Sequence, residues 1–167
     1  MHEAVVSRWN NKETIGDTVY ILGDMSMRGK KKNLISLVAT LKGKKIIVKG
    51  NHDDVSDYRY KQLFYDICGY REIHDSYGGK NYDLVLCHYP IFSWKGMNRG
   101  TILLYGHTHN SAEDYIFRNA LQEWKKNDCR HVGDKPIQAY NVGCMKPWID
   151  YEPRSLKEII ENYQNIK

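Results

Sequence analysis

Short apolar runs that end at glycine or a polar turn alternate with segments of helical spacing along most of this chain. Runs rich in β-branched and aromatic residues are typical of strands, whereas apolar residues three and four positions apart indicate helices. These patterns predict strands over 18–22, 45–49, 71–77, 80–87, 101–105 and 137–141. They predict helices over 2–10, 33–41, 58–67 and 155–163.

Two local signals predict further structural detail, and one segment has no predicted element. Gly78-Gly79 between two strand-like runs predicts a β-hairpin. Ser155 with Glu158 three residues later predicts a capping box at the start of the last helix. The segment 111–133 is polar and irregular, and no element is predicted there. The alternation of strands and helices predicts an α/β fold, in one domain that spans 1–167.

Composition agrees with a globular protein in the cytoplasm. Hydrophobic residues make up 41% of the chain and charged residues 27%, which are ordinary proportions for a folded domain. No apolar run approaches the ~20 residues that a membrane helix needs, so no membrane partner is expected. The N-terminus lacks the pattern of a signal peptide. The four cysteines are widely spaced, which favours reduced thiols and a cytoplasmic location.

A modest positive charge leaves one question about partners open. The net charge is +5, and basic residues cluster over 28–32 and 42–45. Such clusters attract phosphate or nucleic acid, so nucleic acid is an alternative partner. A solvated helix face with its flanking loop is the commoner role for like charges, and it is the preferred interpretation.

Candidate metal ligands follow four of the predicted strands. Because strands of an α/β sheet place their sites at their carboxyl ends, we expect these side chains to share one cleft. Carboxylate, amide and imidazole groups are ligands that manganese, iron and zinc accept. The candidates are Asp24, Asn51, His88, His107 and His109.

The combination of these segments resembles the calcineurin-like metallophosphoesterase superfamily. Gly-Asp at 23–24, Gly-Asn-His-Asp at 50–53, His-Tyr-Pro at 88–90 and Gly-His-Thr-His at 106–109 are most similar to its small bacterial and phage-type members. The resemblance covers most of the chain and implies two packed sheets flanked by helices. It also implies a metal-dependent phosphoesterase that hydrolyses phosphodiesters or nucleotides through a metal-bound hydroxide.

The resemblance assigns a role to each candidate. Asp24 would bridge two metals, and Asn51, His88 and His107 would complete one of the two sites. His109 would ligate the other metal, with its side chain on the same side of an extended segment as His107. These assignments compete with commoner ones, because isolated Gly-Asp and Gly-Asn pairs usually form turns and buried histidines usually bond to backbone.

Two neighbouring residues would take part in the chemistry without binding metal. His52 would hydrogen-bond the phosphate or protonate the leaving oxygen as a general acid. Asp53 would orient His52, although an acidic residue at the start of a helix is also favoured by the helix dipole. Arg28 could contact phosphate or equally lie on the surface.

One motif of the superfamily is absent from these residues. The family opens with a strand that carries Asp-x-His, and no Asp-x-His occurs in the 167 residues. The strand that carries this motif would normally lie inside the sandwich of sheets. Without it, the remaining strands would close up, a partner chain in an oligomer would cover its place, or the shape of the fold would be altered there. The second metal site would keep only Asp24 and His109, so we expect it to be incomplete. Manganese is the expected metal, with iron or zinc as alternatives.

The missing motif also motivates an alternative function. The chain would then be a degenerate member of the superfamily that binds one metal, performs no chemistry and serves a regulatory or binding role.

Overall fold

A computed structural model of the protein describes residues 2–25, 31–126 and 135–165. The helices are α1 His2–Lys12, α2 Lys31–Thr40, α3 Tyr58–Lys61, α4 Ala112–Lys126 and α5 Leu156–Asn165, with a 3-10 helix over Met97–Arg99. The strands are β1 Thr18–Ile21, β2 Lys44–Val48, β3 Asp66–Cys68, β4 Tyr70–Tyr77, β5 Lys80–Cys87, β6 Ile102–Tyr105 and β7 Gln138–Asn141.

The strands form two sheets. The first has the order β1-β2-β3, and all its strands run parallel. The second has the order β4-β5-β6-β7, in which β4 and β5 form an antiparallel hairpin and β5, β6 and β7 run parallel. The predicted α/β class and the two sheets flanked by helices are therefore confirmed.

Three layers of apolar side chains hold the sheets and helices together. Alternate residues of a strand point to opposite faces, so each sheet packs on both sides. Val48 of β2 joins Leu86 and Leu104 of the second sheet and Ile159 of α5 in the layer between the sheets. Outer layers pack the first sheet against α1 and α2, and the second sheet against α4.

The helix predicted over 58–67 is only one turn long in the structure. α3 ends at Lys61, and residues 66–68 form β3 beside β2. Tyr60 and Phe64 are both buried at a spacing of four residues, which produced the helical pattern. The ladder with β2, in which Ile67 lies opposite Ile47, outweighs that local preference.

The segment without a predicted element contains the longest described helix. α4 spans 15 residues and buries Phe117 and Leu121 against the second sheet. These two residues and Trp124 recur at positions i, i+4 and i+7, the spacing of a helix face, so the signal was present among the polar residues.

The two local signals are confirmed. Tyr77 lies opposite Lys80 across the hairpin turn. In the capping box, the backbone N–H of Ser155 donates to Oε2 of Glu158 at 2.8 Å, and the backbone N–H of Glu158 donates to Oγ of Ser155 at 3.4 Å. No helix among the described residues has both the length and the apolar composition to cross a membrane.

Candidate metal centre

The four candidate segments meet at one edge of the two sheets. Asp24 follows β1, Asn51 follows β2, His88 follows β5 and His107 follows β6. The predicted cleft at the carboxyl ends of the strands is therefore present, and it lies where the two sheets come together.

His88 stands at the centre of this arrangement. Its ring is buried, at 2% exposure, and Nδ1 lies 2.7 Å from the carbonyl oxygen of Leu22. Because a carbonyl can only accept, Nδ1 carries the proton in this hydrogen bond. In the neutral imidazole Nε2 then presents only a lone pair, which is the form in which histidine binds metal.

Three further ligand atoms surround Nε2 of His88. Oδ1 of Asn51 lies at 3.2 Å, Nδ1 of His107 at 3.0 Å and Oδ2 of Asp24 at 3.3 Å. The ligand atoms of Asp24, His88 and His107 all lie within 4.8 Å of one another. Carboxylate and amide oxygens together with imidazole nitrogens are groups that divalent metals accept as ligands, so this set of residues fits a divalent metal ion.

The protonation of His107 favours the same interpretation. Burial lowers the pKa of His107, and the neighbouring His88 lowers it further, although Asp24 opposes both effects. The neutral imidazole is thereby stabilised at neutral pH, and neutral imidazole is the species that ligates metal.

Two glycines allow the ligand loops to approach each other. Gly23 has a φ of +79°, and a Cβ there would lie 2.6 Å from Nδ1 of His88. A Cβ on Gly50 would lie 2.7 Å from Cε1 of His88 and would also collide with the Asp24 carboxylate. Only glycine fits at these positions without moving the ligands.

The carboxylate of Asp53 accepts hydrogen bonds from the same two loops. Its Oδ2 accepts hydrogen bonds from the backbone N–H of Asp24 at 2.7 Å and of Gly50 at 2.8 Å. Its Oδ1 accepts from the backbone N–H of Met25 at 3.2 Å. The carboxylate thus fixes the backbone that carries Asp24. Its role as the partner that orients His52 stays a prediction.

His52 is held beside the cluster by its backbone. Its N–H donates to Oδ1 of Asp24 at 2.9 Å, and its side chain is exposed. The imidazole is therefore accessible to solvent.

His109 stands apart from the cluster in two respects. It has a left-handed backbone, with a φ of +46°, and it is not part of the group formed by Asp24, His88 and His107. Its Nδ1 is buried without a hydrogen-bond partner among the described residues. A buried polar atom of this kind is uncommon, and a ligand is one way to satisfy it.

A buried network that the sequence did not predict supports the His107–His109 turn. Asp114 is 1% exposed, and its Oδ1 accepts from the hydroxyl of Tyr105 at 2.9 Å, the hydroxyl of Thr108 at 3.0 Å and Nδ2 of Asn141 at 2.7 Å. Nδ2 of Asn141 also contacts the carbonyl oxygen of His109 at 3.2 Å.

Two cations complete the network on the other oxygen of Asp114. Oδ2 lies 3.1 Å from Nζ of Lys146 and 3.1 Å from Nε of Arg118. Burial would raise the pKa of Asp114, but hydrogen bonds from Asn141, Lys146 and Tyr105 together lower it. A polar residue in the first turn of a helix usually faces water, so nothing in the sequence pattern set Asp114 apart.

Some sequence-based expectations concern residues outside the described ranges. Arg28, Lys30 and Cys129 lie there, and with them part of the basic segment considered for nucleic acid. Of the described cysteines, Cys68, Cys87 and Cys144 are free thiols.

Comparisons with known proteins identify a family and several relatives of this chain. A sequence profile of the calcineurin-like phosphoesterase family matches residues 3–138. The uncharacterized protein MJ1445 of Methanocaldococcus jannaschii is 25% identical over 82% of this chain and 70% of its own length. The Gene 66 proteins of Mycobacterium phages D29 and L5 are each 28% identical, over 61% and 65% of this chain. The chain spans under two thirds of these phage proteins, 62% and 65% respectively.

A solved structure shares the fold. The protein of unknown function AQ665 from Aquifex aeolicus superimposes with a TM-score of 0.62, at 24% identity, over 96% of this chain and 84% of the other. This likeness concerns the architecture alone. The profile match extends from α1 to β7 and includes all four ligand segments. This chain belongs to the calcineurin-like phosphoesterase family.

Proposed function

We propose that the chain is a metal-dependent phosphoesterase that hydrolyses phosphodiesters or nucleotides. The observation that carries the proposal is the convergence of three potential ligand atoms on Nε2 of His88 within 3.3 Å. In this proposal Asp24, Asn51, His88 and His107 hold a divalent cation. Membership of the calcineurin-like phosphoesterase family supports both the metal dependence and the phosphoester substrate.

Manganese is the proposed metal, and it accepts the carboxylate and amide oxygens and the imidazole nitrogens of this site. Iron and zinc suit the same ligands. A divalent cation bound here would supply Lewis-acid chemistry, which neutralises phosphoryl charge and lowers the pKa of coordinated water.

The residues of the chain supply the remaining functions. Asp24 faces the cluster with Oδ2 while its Oδ1 accepts from the backbone of His52, so its carboxylate orientation is fixed. The exposed imidazole of His52 can hydrogen-bond a phosphoryl oxygen or give a proton to the leaving oxygen. His109 and Asp24 are proposed for a second, incomplete metal site.

The test combines metal binding with turnover. Calorimetric titration with Mn²⁺ should show one binding event that Asn51→Ala and His107→Ala each weaken at least tenfold. Hydrolysis of bis-p-nitrophenyl phosphate should depend on added Mn²⁺ and fall in the same variants. His74→Ala is a matched control, since His74 is an exposed histidine on β4 that pairs with Asp83. Turnover that persists in both ligand variants would overturn the proposal.

A second candidate is a metal-binding module without turnover. The position of His109 favours it, because among the described residues only Asp24, His88 and His107 form a group that can hold a metal. Three ligands of this kind with Asn51 make one site, whereas two-metal phosphoesterases need two cations about 3.5–4 Å apart. Mn²⁺ binding without hydrolysis of any phosphoester would establish this alternative.

A further inference from the structure

A cavity of about 310 Å³ adjoins the metal centre. Its lining residues are Tyr89, Pro90, Phe92, His107, Thr108, Glu113, Ile116 and Phe117. Most of these side chains are apolar or aromatic. The volume falls at the lower end of the range of small-molecule sites in proteins.

Three of the lining side chains are exposed to an unusual degree for apolar residues. Phe92 is 53% exposed, Ile116 is 62% exposed and Tyr89 is 42% exposed. Single exposed apolar residues need no explanation, but several that converge on one concave surface beside a polar centre mark a binding site.

The side chains of Tyr89 and His107 connect the cavity to the metal centre. The ring of Tyr89 lies 4.8 Å from that of His88 and 4.8 Å from that of His107. His107 thus belongs to both the metal cluster and the cavity wall. A molecule whose phosphate lies at the cluster would extend directly into the cavity.

We propose that this cavity binds the base of a nucleotide substrate whose phosphate lies at the metal centre. The proposal rests on the proposed phosphoesterase function and narrows its substrate class. Tyr89 and Phe92 are exposed aromatic residues of the lining, and aromatic rings of this kind stack against nucleobases, each of which has a flat π-surface. Phe92 makes an edge-to-face contact with Phe117 in the cavity wall, with a distance of 5.5 Å between the ring centroids.

Glu113 gives the cavity a hydrogen-bond acceptor, which favours a base over a purely apolar group. It is the only carboxylate among the lining residues, it is exposed, and its charge acts on His107. A carboxylate accepts hydrogen bonds from N–H groups, which the amino-substituted bases carry and an alkyl or phenyl group lacks. The cavity therefore combines stacking surfaces with one acceptor for the edge of a base.

The test is calorimetric titration of the protein in the presence of Mn²⁺. The probes are adenosine 5′-monophosphate and ribose 5-phosphate, which differ by the base alone. We expect the nucleotide to bind at least tenfold more tightly than the sugar phosphate. Phe92→Ala should remove most of that advantage, as loss of one base–aromatic stack typically weakens binding about tenfold.

Matched variants separate the cavity from general damage. Tyr115→Ala is the control, because Tyr115 is also an exposed aromatic residue, 61% exposed, that does not line the cavity. It should keep the nucleotide advantage. Ile116→Ala replaces Phe92→Ala if the latter fails to fold, since Ile116 lies on the same wall. Equal affinities for the two probes in the native protein, or an advantage unchanged in these variants, would overturn the proposal.

Failure of the phosphoesterase function has a different signature. In that case Mn²⁺ produces no hydrolysis of bis-p-nitrophenyl phosphate, whatever its effect on probe binding. Titration with adenosine and with ribose, both without phosphate, then tests the cavity by itself. Binding of adenosine that Phe92→Ala weakens supports the cavity, and no difference between adenosine and ribose refutes it.

Discussion

Replacement of Asp114 by asparagine tests how much the buried network contributes to the stability of the fold. The two side chains have the same shape, so no cavity forms. Asparagine keeps one oxygen for the hydroxyls of Tyr105 and Thr108 and for Asn141. Its amide NH₂ takes the place of Oδ2 and meets the ammonium group of Lys146, which is also a donor.

The expected loss in the free energy of unfolding is about 3 kcal/mol, the lower end for breaking a buried ion pair. Most of this loss comes from the broken ion pair with Lys146, since the Lys146 side chain is 13% exposed and that of Asp114 is 1% exposed. Arg118 contributes little because its side chain is 56% exposed and its pair with Asp114 is screened by water. Asp150→Asn is the matched control, because Asp150 pairs with Arg8 on the surface, and it should cost under about 1 kcal/mol.

Urea unfolding of the two variants and the native protein measures these values. The pKa of Asp114 is lowered from 3.8 in the folded protein, so its contribution is complete above that value and is lost as the pH falls through the lower folded pKa. The gap between native protein and Asp114→Asn should therefore be constant at neutral pH and shrink in acid. Equal unfolding curves for Asp114→Asn and Asp150→Asn at pH 7 would refute the reasoning.

Two further predictions concern the ligand loops and the last helix. Gly50→Ala should weaken Mn²⁺ binding at least tenfold, because its Cβ would collide with the Asp24 carboxylate. Gly69→Ala is the control in the same titration. It should bind Mn²⁺ normally, since a Cβ on Gly69 would meet nothing within 4 Å. Glu158→Gln should lower the free energy of unfolding by about 1–2 kcal/mol at pH 7, after allowance for solvent screening. Burial raises the pKa of Glu158, but hydrogen bonds from Lys12 and the Ser155 backbone lower it to about 2 from 4.5, so the effect should fade between pH 4.5 and 2. An effect of equal size at pH 7 and pH 2 would contradict that assignment.

The sequence predicted the strands that carry ligands better than the elements between them. β6 and the C-terminal parts of β2 and β5 have dense apolar runs because they are buried on both faces, whereas β1 buries alternate residues, and each strand ends near the residue expected. The strand ends also place the candidate ligands together, because parallel strands bring their carboxyl ends to one edge of the sheet. The short β3 was missed because its pairing with β2 depends on residues about 20 positions away in the chain.

The hydrogen-bond partners of two acidic residues could not be predicted from the sequence around them. Asp53 is the last residue of the segment 50–53, Asp114 comes five residues after the segment 106–109, and an acidic residue at either position suits the start of a helix. Their actual partners are backbone N–H groups for Asp53 and buried side chains for Asp114, including Asn141 from a distant strand. Local sequence carries no information about such partners, since the tertiary fold alone brings them together.

These two carboxylates have a common physical effect on the site. Asp24 and His109 both have left-handed backbones, with φ values of +52° and +46°, which non-glycine residues adopt at a cost of about 1 kcal/mol or more. Asp53 accepts from the backbone of Asp24, and Asp114 binds Asn141, which in turn contacts the carbonyl oxygen of His109. Each strained loop is thus held by a carboxylate outside the ligand cluster. Because the loops are fixed by protein groups, replacing a ligand such as Asn51 should remove metal affinity and leave the fold intact. Replacing Asp53 or Asp114 should lower both together, since the same hydrogen bonds stabilise the loop and aim its ligand.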